Sequence, residues 1–214
     1  MISRLHYITQ ETAAFTHAMA AEAACMAGAD WVQLRVKTQP YEVWKELALQ
    51  TKSICRCYGC TFIINDNVAL AAEVDADGVH LGQLDMSPRE ARELLGSEKI
   101  IGCTANTFAD VQRLVEQGVD YIGLGPYRFT STKSNLSPIL GLEGYTDLLQ
   151  QCRQAGISIP IIAIGGITAA DMPLLLQTGI HGIAVSSAIT LAPDRAAAMA
   201  EFNQHFSLST EKQV

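Results

Sequence analysis

The sequence predicts a single-domain α/β protein of the (β/α)8, or TIM-barrel, class. Short β-rich runs alternate with longer helical patterns eight times, an internal motif returns on every second strand, and unusual polar residues gather at one end of strand after strand. Such alternation implies parallel strands joined by helical crossovers. Eight units suggest a closed ring. An open, doubly wound sheet stands as the alternative, because counting elements does not show closure.

In chain order, the strand Leu5–Thr9 leads into the Ala-rich helical stretch Thr12–Ala27, and Trp31–Val36 into Tyr41–Tyr58. Thr61–Asn65 precedes Asn67–Val74, and Gly78–Leu81 precedes Ser87–Leu95. Lys99–Cys103 is followed by Thr107–Gln117, and Tyr121–Gly123 by Gly141–Gln154. Ile161–Ile164 and Thr168–Leu176 form the seventh pair, Gly182–Val185 and Asp194–His205 the eighth. Residues 1–206 are expected to form the barrel, and the polar tail 207–214 to fray.

Four segments share one design: Gly28-Ala29-Asp30-Trp31-Val32-Gln33-Leu34, Asp75-Ala76-Asp77-Gly78-Val79-His80-Leu81, Gly118-Val119-Asp120-Tyr121-Ile122-Gly123-Leu124 and Gly179-Ile180-His181-Gly182-Ile183-Ala184-Val185. Each reads as a helix end, a turn and a strand, on strands two, four, six and eight. The spacing matches a repeated double βα unit. Strand parity then assigns faces. Val32, Leu34, Val79, Leu81, Ile122, Leu124, Ile183 and Val185 should face the helices. Gln33, Arg35, His80, Gly82, Gly123, Gly125, Ala184 and Ser186 should point inward, a polar or small set that leaves room for a ligand near the mouth.

The 214 residues fit one domain, and 49% apolar with 17% charged residues is a globular composition. A net charge of −7 argues against nucleic acid, which would need a basic patch that is not evident. The N-terminus lacks the layout of a signal peptide, and Thr16, His17 and Glu22 make the Ala-rich stretch too polar to span a bilayer. The expected location is the cytoplasm. Cys55, Cys57 and Cys60 cluster without a second zinc-type group nearby, so they read as small buried hydrophobes with free thiols. Oligomeric state is not readable.

Barrel enzymes build their sites from the loops that follow the strands. Here strand two runs into Gln33, Arg35 and Lys37, strand three into Asn65-Asp66, strand four into Gly82-Gln83-Leu84-Asp85, and strand five into Cys103-Thr104. Strand six opens into Gly125-Pro126 through Lys133, strand seven into Gly165-Gly166, and strand eight into Ser186-Ser187. Asp66 and Asp85, at neighbouring strand ends, suit one Mg²⁺ completed by substrate phosphates. With that ion, Arg35, Lys37 and Lys133 leave a local positive excess suited to a diphosphate. Gly165-Gly166 before a helix start is a candidate phosphate cradle, with Ser186 and Ser187 as its other half. The long segment Tyr127–Leu140 reads as a lid carrying Lys133, and His80 as a packed, hydrogen-bonded histidine.

These stretches, together with Ile64-Asn65-Asp66, Asp77 through Asp85, Gly123-Leu124-Gly125-Pro126, Ala163 through Ile167 and Val185 through Ile189, resemble the motifs of thiamine phosphate synthases in order over roughly residues 5 to 205. The resemblance implies a transferase that joins a hydroxymethylpyrimidine diphosphate to a thiazole phosphate. It implies that Gln33, Arg35, Lys37, Asn65, Thr104 and Lys133 hold the pyrimidine diphosphate, with Arg35, Lys37 and Lys133 assisting its departure. It further implies Mg²⁺ on Asp66 and Asp85, and the thiazole phosphate on Thr130, Ser131, Thr132, Gly165 or Gly166, Ser186 and Ser187.

Two positions depart from the family pattern. Asn106 stands where many members carry a His, and Arg128-Phe129 replaces a more usual Pro-containing step. Related thiazole tautomerases use that His for proton transfer; an Asn does not titrate near neutral pH, which weakens an isomerase reading. A tautomerase or other sugar-phosphate isomerase, and a non-catalytic phosphate-ligand sensor, are the rival functions.

Overall fold

A computed structural model of the chain describes residues 1–130 and 137–211. Its strands are β1 (Leu5–Ile8), β2 (Trp31–Leu34), β3 (Thr61–Asn65), β4 (Gly78–Leu81), β5 (Ile100–Ala105), β6 (Tyr121–Leu124), β7 (Ile161–Ile164) and β8 (Gly182–Val185). All pair in parallel, and β8 closes on β1 through Leu5 opposite Ile183 and Tyr7 opposite Val185. Closure removes the open-sheet alternative. The helices are α1 (His17–Met26), α2 (Tyr41–Tyr58), α3 (Val68–Glu73), α4 (Pro88–Leu95), α5 (Phe108–Glu116), α6 (Gly141–Gln154), α7 (Met172–Gln177), α8 (Ser187–Thr190) and α9 (Arg195–Glu211).

Local chemistry explains most boundaries. Ser87 caps α4 by accepting from the Glu90 N–H while the Glu90 carboxylate accepts from the Ser87 N–H, and Thr107 with Asp110 repeats the device on α5. Gly59 ends α2 in the left-handed region at φ 70°. The first helix starts at His17 rather than Thr12 because Thr16 caps it, while Thr12 accepts from the Phe15 N–H to close a separate turn. Strand β5 begins and ends later than the sequence pattern indicates, which carries Thr104 and Ala105 into the sheet. Helix α8 was not foreseen; four residues are too few to show a helical period. Helix α9 runs to Glu211, past the point where the tail was expected to fray.

The repeated Asp has a structural job. Asp77 accepts from the Phe62 N–H at the start of β3, and Asp120 accepts from the Ile101 N–H on β5, both at 2.7 Å. Each satisfies a backbone donor where a neighbouring strand enters the barrel. Above that floor the parity is as expected. Val32, Leu34, Val79, Leu81, Ile122, Leu124, Ile183 and Val185 are buried in the layer between sheet and helices. A separate inner cluster joins Trp31, Ile63, Tyr121, Ile162 and Ala184. Space there is tight: a Cβ at Gly102 would overlap the Tyr121 ring, and one at Gly123 would sit 2.9 Å from His80. Five cysteines are buried; Cys57 is exposed, contrary to expectation, because it projects from α2 away from the core, and no cysteine is disulfide-bonded.

Candidate active site

One cavity of about 530 Å³ occupies the end of the barrel where the strands finish. Its depth comes from β1, β6, β7 and β8: His6, Ile8, Tyr121, Ile162 and Ala184 line its lower part. His6 stacks on Trp31 with ring centroids 4.1 Å apart, and Tyr121 stands edge-on to both rings. Burial pushes the His6 imidazole down to about 3, so it is neutral at ordinary pH. This apolar base was not anticipated, although Trp31 and Tyr121 share the inward parity of Gln33 and Gly123 and could have been read from it.

The middle of the cavity is polar. Gln33 on β2 and Asn65 on β3 are both buried, and the Gln33 Nε2 donates to Asn65 Oδ1 at 2.7 Å. His80 shares hydrogen bonds with the Tyr121 hydroxyl at 2.9 Å and with Thr104 Oγ1 at 3.0 Å. That is the packed histidine expected, and it also lines the cavity. The Tyr121–His80–Thr104 chain ties β6, β4 and β5 together across the interior.

Charge gathers at the rim. Arg35 follows β2 and Asp66 follows β3, and both line the cavity. Burial lowers the Arg35 guanidinium pKa while the nearby Asp66 charge opposes that change; an arginine remains a cation regardless. Asp66 sits at φ 64°, a conformation that Asp and Asn tolerate better than most residues. Asp85 also lines the cavity, with its Oδ2 accepting from the Gly82 N–H at 2.6 Å. Among the described residues no group of three or more His, Cys, Asp or Glu could hold a metal alone.

Opposite these charges, Gly165 and Gly166 line the cavity beside Ser186, Ser187 and Thr130. Their φ values of 92° and 69° favour glycine, and space demands it, since a Cβ on Gly165 would lie 2.6 Å from that of Pro126 and one on Gly166 would overlap Arg128 Cγ. Ser186 precedes α8, and its Oγ donates to Gln10 Oε1 at 3.3 Å. Lys37 is exposed and stands outside the cavity lining, though close enough to Arg35 for its pKa to be lowered, by burial first and by that charge second. Ser131, Thr132 and Lys133 lie outside the described residues.

Two contacts escaped sequence reasoning. Asn106 Nδ2 donates at 2.9 Å to both Gly125 O and Pro138 O, so the residue standing where many family members carry a His bridges these two carbonyls. Arg128 forms a two-pronged ion pair with Asp171, Nη1 to Oδ2 at 2.9 Å and Nη2 to Oδ1 at 2.6 Å. The Thr168-to-Asp171 spacing is a capping-box signal that could have been noticed; its arginine partner, distant in sequence, could not.

Known proteins are similar to this chain over nearly its whole length. A thiamine-phosphate synthase of Bacteroides fragilis is 50% identical over 190 residues, covering 89% of this chain and 93% of that one. Another, from Flavobacterium johnsoniae, is 48% identical over 95% of this chain and 96% of its own length. The solved structure of a thiamine phosphate pyrophosphorylase from Pyrococcus furiosus superposes with a TM-score of 0.83 at 30% identity, covering 96% of each chain. The sequence model of thiamine monophosphate synthase matches residues 5–189, and with these relatives it establishes that the chain belongs to the thiamine monophosphate synthase family.

Proposed function

We propose that this chain condenses 4-amino-2-methyl-5-hydroxymethylpyrimidine diphosphate with 4-methyl-5-(2-hydroxyethyl)thiazole phosphate, giving thiamine phosphate and diphosphate. One observation carries the reading: in a member of this family, a single cavity is lined by a cation, two carboxylates and a glycine turn, above an apolar base.

The reaction is a substitution at the methylene carbon of the pyrimidine. The carbon–oxygen bond breaks with its electron pair leaving on diphosphate, and the thiazole nitrogen lone pair forms the new carbon–nitrogen bond. The electron-rich aminopyrimidine supports positive charge at that carbon. No proton has to leave the nucleophile, so the protein needs charge neutralisation and alignment rather than a strong base. In this reading Arg35, Lys37 and Lys133 oppose the charge growing on diphosphate. Gln33, Asn65 and Thr104 orient the pyrimidine diphosphate, and Gly165, Gly166, Ser186 and Ser187, with Thr130, Ser131 and Thr132, hold the thiazole phosphate.

Asp66 and Asp85 fit Mg²⁺, since two carboxylates plus diphosphate oxygens make an all-oxygen shell of the kind this ion prefers. Bound there, it would supply positive charge against the leaving group. Asn106 argues against the isomerase reading, because its amide is committed to two backbone carbonyls and carries no titratable proton. No helix among the described residues is long and apolar enough to cross a membrane, and six unbridged cysteines suit a reducing cytoplasm. The partners in this reading are the two phosphorylated small molecules.

The test is to incubate the protein with both substrates and Mg²⁺. Thiamine phosphate and diphosphate should appear in equal amounts. Absence of both products from folded protein, or turnover of the thiazole phosphate alone, would refute the reading.

A further inference from the structure

The polypeptide at Gly165-Gly166 is held from outside the cavity by one residue. The Arg128 N–H donates to Gly165 O at 3.1 Å, and Arg128 Nη1 donates to Gly166 O at 3.3 Å. The same guanidinium grips Asp171, which in turn accepts from the Thr168 N–H at 2.8 Å and the Thr168 hydroxyl at 2.7 Å. The Arg128 aliphatic stem fills the space that a Cβ on Gly166 would take. The Arg128 side chain thus spans the segment from Gly166 to Asp171, while its main-chain N–H holds Gly165.

In a trans peptide the C=O and the following N–H point in opposite directions. Holding the Gly165 carbonyl toward Arg128 turns the Gly166 N–H the other way, and holding the Gly166 carbonyl turns the Ile167 N–H the other way. Gly165, Gly166 and Ile167 all line the cavity. Two left-handed glycines have little intrinsic preference to keep this geometry, because glycine visits either sign of φ readily.

We propose that the Arg128 side chain, anchored by Asp171, is a positioning group that holds the Gly166 carbonyl and so aims the Ile167 N–H at the thiazole phosphate. This rests on the reading that the phosphate binds at this turn. Arg128 itself does not line the cavity. Its planar fork reaches both oxygens of Asp171 and the Gly166 carbonyl at once, which a lysine ammonium cannot do in the same geometry.

The test compares Arg128→Gln and Arg128→Lys with the parent in steady-state kinetics, using thiazole phosphate and also the unphosphorylated thiazole alcohol. Both variants should raise KM for thiazole phosphate about tenfold, with KM for pyrimidine diphosphate and kcat/KM for the alcohol each within about twofold of the parent. Equal losses for phosphorylated and unphosphorylated thiazole, or an unchanged KM in Arg128→Gln, overturn the proposal. With its side chain 46% exposed, Arg128 is replaceable without opening the core. Should either variant fail to fold, Asp171→Asn frees the guanidinium while keeping an acceptor for Thr168, and carries the same expectations. Ser187→Asp separates the two ideas by adding negative charge beside the proposed phosphate. If it raises KM for thiazole phosphate while Arg128→Gln does not, only the positioning role fails; if it leaves that KM unchanged, the phosphate lies elsewhere.

Discussion

Gln33 donates its side-chain amide to Asn65 at 2.7 Å, joining adjacent strands inside the barrel where neither residue meets bulk solvent. Asn65 Oδ1 is thus the acceptor that fixes the Gln33 amide. Asn65→Ala would strand the Gln33 amide and cost about 1 to 3 kcal/mol of stability. KM for pyrimidine diphosphate should rise about tenfold as Gln33 loses its orientation. Urea unfolding together with initial rates checks both effects; Asn65→Asp, which keeps an acceptor, should lose less stability.

Arg35 and Lys37 differ in setting despite being two residues apart. Arg35 lines the cavity beside Asp66, whereas Lys37 is exposed outside the lining. Arg35→Met should lower kcat about a hundredfold, near 3 kcal/mol of barrier. Lys37→Ala should cost clearly less, because solvent screens an exposed charge. Equal losses in the two variants would contradict this ranking.

The acid pair can be tested without disturbing the backbone. Asn tolerates the left-handed conformation that Asp66 adopts, and an Asn at 85 retains an acceptor for the Gly82 N–H. Asp66→Asn and Asp85→Asn should therefore fold normally while shifting the Mg²⁺ concentration for half-maximal rate upward by about tenfold or more. An unshifted Mg²⁺ titration in both variants would remove the ion from this pair.

Acid stability should depend on His6. Burial among Trp31 and Tyr121 sets its pKa at about 3 against an ordinary 6.5; the Ser3 carbonyl opposes this fall, and His80 and His181 add slightly to it. Between those values the unfolded chain binds the proton and the folded one does not. Stability from neutral burial is therefore complete above about pH 6.5 and is lost as pH falls toward 3, by up to roughly 5 kcal/mol. His6→Phe should show a smaller drop in urea midpoint between pH 7 and pH 4.5 than the parent. An identical drop would mean another group controls the acid transition.

Much of this architecture was legible because its signals are local and repeated. Alternating residues on β2, β4, β6 and β8 sorted themselves into outer core and interior as their parity required. The rim residues were found because each follows its own strand, and closure of the barrel is what brings Arg35, Asp66, Asp85 and Gly165 around one opening. What stayed hidden depends on pairs distant in sequence. Asn106 meets Pro138, and Arg128 meets Asp171, through contacts that no periodicity announces. The cap at Thr16 places the start of the first helix after Ala13 and Ala14, where Ala propensity alone suggests an earlier start.

The rings of His6, Trp31 and Tyr121 stop the barrel below the cavity. A guest molecule consequently has freedom to grow in one direction only. Analogues enlarged on the portion that sits deepest must collide with buried, stacked rings, whereas bulk added toward solvent meets loops and water. Selectivity for length along the barrel axis is thus set by these aromatic residues, which take no part in the proposed bond making.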